Sequence, residues 1–92
     1  MIYTHKKHEI DLEKVTRLYP AALISAGGER ASVSLEWADS KKDKVILECY
    51  VLICDFDPVG DVPVNRIELK FDTKEELFGA MNEISTLLSK KD

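Results

Sequence analysis

Apolar and polar residues alternate along much of this chain, and successive residues of a strand face opposite ways, so the alternation predicts β-structure. Ala31, Val33, Leu35 and Trp37 alternate with Ser32, Ser34, Glu36 and Ala38. From Asn65 to Phe71 the pattern recurs with Ile67, Leu69 and Phe71 inward. Between them, Val45 to Asp57 is apolar at both parities: Val45, Leu47, Cys49, Val51 and Ile53 at odd positions, and Ile46, Tyr50, Leu52, Cys54 and Phe56 at even ones, broken by Glu48. A strand of that kind has two faces to cover. Ala21 to Ala26 reads as a further short strand, joined to the next by Gly27-Gly28, which supply the positive φ angles of a tight hairpin.

The remaining segments repeat with helical spacing. Asp11 is placed to cap a two-turn helix in which Leu12, Val15 and Tyr19 share a face, Glu13 and Arg17 pair at i,i+4, and Pro20 ends the run. Near the C-terminus, Thr73 and Glu76 have the spacing of a capping box. Leu77, Met81, Ile84 and Leu88 then form one stripe, widened by Ala80, Leu87 and Phe78, with Lys90 and Lys91 at the negative end of the helix dipole. Gly79 falls on the outward face with no packing reason for it. These elements predict an α+β fold. It is a two-layer sandwich in which a four-stranded antiparallel meander carries a short N-terminal helix and a longer C-terminal helix, in the order α-β-β-β-β-α. Residues 1–10 are expected to be a flexible N-terminal arm or short edge strand, and residues 11–92 a single domain.

Loop length leaves open which parity of the long strand is core. Burying Glu48 unpaired would cost several kcal/mol, which favours the odd positions as core. The even positions, Ile46, Tyr50, Leu52 and Phe56, then form an apolar stripe beside strands written for burial on one face only. Either the N-terminal segment or the aliphatic stems of Arg66 and Lys70 cover it, or a partner does.

Composition narrows the classes. With 92 residues, 45% hydrophobic and 33% charged, the chain is a small folded domain rather than a disordered one. Its net charge of −4 offers no general attraction for nucleic acid or anionic lipid. The first residues lack the apolar run of a secretory leader, and no stretch reaches the ~18 apolar residues of a membrane span, so a cytoplasmic protein is expected. Cys49 and Cys54 sit five apart in one strand and face opposite ways; they cannot bridge.

Candidate chemistry is sparse. Asp55, Asp57 and Asp61 with Gly60 match the start of a calcium loop, but Val59 and Arg66 stand where ligands belong. The bland reading is acidic residues ending a strand and supporting the Pro58–Asp61 turn. His5 and His8 lack the further ligands a zinc site needs. No nucleophile, base and orienting group converge, so no enzyme activity, cofactor or metal is expected. The function expected is a small non-catalytic protein-interaction or oligomerisation module, a homodimer or a subunit bound to another protein, with Ile46, Tyr50, Leu52 and Phe56 as its contact surface. The alternative is a ligand- or cation-binding domain using Asp55, Asp57 and Asp61.

Overall fold

The computed structural model describes residues 1–62 and 64–89, and the mixed α+β class holds. The first ten residues are not an arm. Strands β1 (Ile2–His5) and β2 (His8–Asp11) form a hairpin in which His5 faces His8 across the two-residue turn Lys6-Lys7. Tyr3 and Ile10 anchor it by burial in the main core. The helix expected after Asp11 is one 3₁₀ turn, Leu12–Lys14. Asp11 does cap it, its carboxylate accepting from the Glu13 amide.

Arg17–Ala26 is then a ten-residue strand, β3, which corrects the helical reading of Tyr19 and the helix stop at Pro20. Tolerance of Pro20 follows from the pairing. Strand β4 (Glu29–Val33) pairs with β3 only over Ala22–Ala26, so Pro20 lies beyond it, where a missing N–H disrupts no ladder on that side. Gly27 and Gly28 make the turn between these strands at φ +58° and +84°.

The strand expected to run on through Trp37 stops at Val33. Ser34 accepts from the Trp37 amide at 3.1 Å and starts the short helix α1 (Leu35–Ser40). Leu35 and Ala38, three apart, put one face of that helix on the sheet. The long strand is β5 (Ile46–Asp55), followed by β6 (Arg66–Phe71) and the helix α2 (Lys74–Ser89). Thr73 accepts from the Glu76 amide at 3.1 Å, as the capping-box spacing predicts. Lys90 and Lys91 lie outside the described residues. No helix among the described residues is long and apolar enough to cross a membrane.

The sheet order is β4-β3-β5-β6, all antiparallel, and not a meander: the long strand pairs with β3 and β6, while β4 is an edge. The path from β4 through α1 carries the chain past β3 before β5 begins.

Parity is also reversed from the expectation. Leu52 and Cys54, at even positions, pack with Leu69, Phe71, Leu77, Ala80 and Ile84 under α2. Burying Leu77 and Ile84 contributes roughly 1.5–3 kcal/mol each. Phe78 and Leu88, both expected on the stripe, are 48% and 42% exposed. Cross-strand pairing sorts the faces: Leu18, Cys54 and Ile67 share the helix side, as do Pro20, Leu52 and Leu69, whereas Tyr19, Ile53 and Glu68 share the other.

Glu48 is kept out of the core by a bulge. The register passes from Leu23↔Cys49 to Ile24↔Leu47, so Glu48 is an extra residue on β5, a β-bulge. Beyond it the parity flips. Leu47 and Val45 turn to α1, while Ile46, opposite Ser25, stays on the side away from the helices. Glu48 faces outward and meets Arg30.

Candidate interaction surface

Both helices and the buried residues of the β1–β2 hairpin pack on one face of the four-stranded sheet. The opposite face holds a cluster of strand residues alone: Ala21, Val51 and Ile53, flanked by Tyr19, Leu23 and Cys49. Val51 and Ile53 are nevertheless 0% and 2% exposed. Curvature accounts for this. Ser32 on β4 and Glu68 on β6 are separated by two strands, roughly 14 Å in a flat sheet at about 4.8 Å per step. Their hydroxyl and carboxylate lie 3.4 Å apart. The sheet curls toward its helix-free side, with the bulge at Glu48 adding local twist.

The result is a trough with an apolar floor and a charged rim. Arg17, Asp55 and Arg66 line up across three strands at one end. Asp55 is buried, and Arg66 donates to it from Nε at 2.7 Å and from Nη2 at 3.4 Å. The bond to Asp55 holds the Arg66 guanidinium above its ordinary pKa. The guanidinium carbons of Arg17 and Arg66 lie 5.5 and 6.0 Å from the Tyr19 ring centroid, within cation–π range. Beside them a hollow of about 240 Å³ is lined by Tyr19, Ala21, Ser32, Ser34, Ile53 and Arg66, among others. At the far end Arg30 holds Glu48 by two 2.8 Å bonds, which depress the Glu48 carboxyl pKa. Cys49 stands half-buried on the floor with its thiol pKa pushed up, mainly by burial.

Of the four residues expected to form a contact surface, only Ile46 lies on this helix-free face, at 68% exposure. Tyr50 and Phe56 turn to the helix side, half-buried against the cores there. Leu52 is 0% exposed because α2 packs directly on it, whereas the equally buried floor of the trough is covered by strand side chains and not by a helix. The stripe is broken because the bulge splits its register.

The acidic residues after the long strand do not converge. Asp55 belongs to Arg66. Asp57 accepts from the Val64 and Asn65 amides at 2.8 Å each and from the Asn65 side chain at 3.0 Å, contacts that hold its carboxyl pKa down. It staples the β5–β6 loop. Asp61 is exposed, and its amide closes the expected turn by donating to the Pro58 carbonyl at 3.1 Å. Among the described residues no group of three or more His, Cys, Asp or Glu is placed to hold a metal.

Arg17, Tyr19 and Ser32 were missed as surface residues because Arg17 and Tyr19 read as helical. Yet Arg17 to Ala26 carries the same signal as the long strand, apolar residues at both parities: Tyr19, Ala21 and Leu23 against Leu18, Ala22 and Ile24. No family model, curated protein or solved structure matches the chain.

Proposed function

We propose that this chain is a small non-catalytic protein-interaction module whose contact surface is the helix-free face of the curved sheet. One observation carries the reading: an apolar floor crossed by the Ser32–Glu68 side-chain contact, with no helix or hairpin core packed on it among the described residues. Elements that exist only to bury a core would leave such a face polar, and concave apolar surfaces with a few convergent polar groups are the common form of binding sites.

Charge favours a partner other than self. The face bears four cations, Arg17, Arg30, Arg66 and Lys70, against three carboxylates, Glu48, Asp55 and Glu68, in a chain whose net charge is −4. A face with a net charge of +1 gains less against its own copy than against a segment that carries acidic flanks. An apolar segment of another protein flanked by Asp or Glu fits floor and rim together.

Site-specific photo-cross-linking in cells tests this, with the cross-linker at Ser32 on the trough rim and, as control, at Ser85 on the exposed side of α2. The reading expects a discrete adduct with a different protein from Ser32 and none from Ser85. A covalent dimer of this chain, or equal adducts from both positions, would count against it.

A further inference from the structure

Where the trough meets β6, its border residues Glu68 and Lys70 also face a basic turn, the tip of the β1–β2 hairpin. We propose that this tip is a binding site for a phosphoryl dianion. His5, Lys6, Lys7 and His8 converge with Lys70 and Glu68 of β6 around a cavity of about 330 Å³. Lys6, Lys7 and Lys70 bring three permanent positive charges and Glu68 one negative, a balance of +2 with both imidazoles neutral. That balance matches a dianion, whereas a single carboxylate would leave one positive charge of the site unbalanced. Glu68 is itself drawn toward Ser32 at 3.4 Å. Lysine ammonium groups suit phosphoryl oxygens because they act as point charges and need no planar fork geometry.

Two further features belong to a built site. His5 is held in place: Nε2 donates to the Lys70 carbonyl at 3.1 Å, and its ring lies 4.4 Å from that of Phe71. A carbonyl only accepts, so Nε2 carries the hydrogen of this bond and the ring orientation is fixed. The turn also puts charge where conformation disfavours it. Lys6 has φ +54°, in the left-handed region that is unfavourable for a residue with a side chain and that hairpins ordinarily give to glycine or asparagine.

Isothermal titration of the full chain at constant ionic strength, with sodium pyrophosphate and separately with a phosphoserine pentapeptide, tests the assignment. The informative variant is Lys6→Gly with Lys7→Ser, which removes two charges while supplying a favoured turn sequence, so its melting temperature should hold or rise. The wild type is expected to bind at least one probe below millimolar concentration, and the double variant at least tenfold more weakly. Tighter binding of the peptide assigns a protein-borne phosphoryl group; tighter binding of pyrophosphate assigns a free one. Failure of the wild type to bind either probe, or equal binding by the folded double variant, overturns the proposal.

Discussion

Glu48 is skipped by the pairing of β3 with β5, and its carboxylate takes both Nε and Nη2 of Arg30 at 2.8 Å. One residue thus flips the strand's parity and fastens the bulge to the edge strand β4, across β3. Its carboxyl pKa is depressed first by the Arg30 hydrogen bond, and that of Asp57 first by the Asn65 amide. A carboxylate whose pKa is lower in the folded state adds stability that is present above the unfolded value and lost as pH falls through the folded one. The window lies below about pH 4. Urea midpoints of the wild type should therefore fall steeply below that pH. Asp57→Asn should be less stable at pH 7 and show a shallower acid limb, and parallel curves would contradict the assignment.

The buried pair Asp55–Arg66 should respond asymmetrically to truncation. Arg66→Ala strands a carboxylate that is 1% exposed, at a cost of about 3 kcal/mol. Asp55→Ala leaves an arginine already 35% exposed, which can turn to water, so the loss is about 1–2 kcal/mol. Equal losses in chemical denaturation would show that Arg17, directly across β3 from Asp55, substitutes for Arg66.

Gly79 sits within α2, and nothing lies within 4 Å of where a Cβ would be. Gly79→Ala should raise stability by about 0.5–1 kcal/mol in urea unfolding, because alanine loses less backbone entropy in a helix. A loss of stability would mean that the outward face of α2 is not free.

The two thiols should separate by reactivity. Cys54 is fully buried, and burial followed by the nearby Asp55 charge pushes its pKa up to about 11; Cys49, half-buried in the trough, is raised as well. A disulfide reagent at pH 8 should titrate one thiol slowly in the native protein, Cys49, and both in urea. Rapid reaction of both in the native state would be inconsistent with the packing of β5 under α2.

Local signals were legible where a single device decides structure: the glycine turn at residues 27–28, the Thr73 cap, the Pro58–Asp61 turn and the buried side of α2. The sequence also marks Val45 to Asp57 as a strand apolar on both faces; the strand is Ile46–Asp55, and it is buried over its second half, Val51 to Asp55. Long-range choices were not legible. Leu35 satisfies alternation with Trp37 and helical spacing with Ala38, and the Ser34 cap tipped the segment to helix. The pairing of β5 with β3 rather than β4 depends on α1 carrying the chain across, so the meander followed from missing that helix. A bulge leaves no mark in a pattern of period two except that both parities look apolar, which is why Ile46 was grouped with Leu52. The candidate surface was legible only as a statement that some face needed cover.

The central claim is that the helix-free trough, and not the helix side or a second copy of the chain, receives the partner. Once the protein joined to the Ser32 cross-linker is identified, its affinity should be measured by calorimetry against the wild type, Arg17→Glu and Leu23→Glu, each checked for native circular dichroism. Arg17 is exposed beside Tyr19, and Leu23 is half-buried on the floor, so each change adds negative charge to the trough. Loss of at least tenfold in affinity for both variants is the predicted result. Undiminished binding by both folded variants would contradict the account.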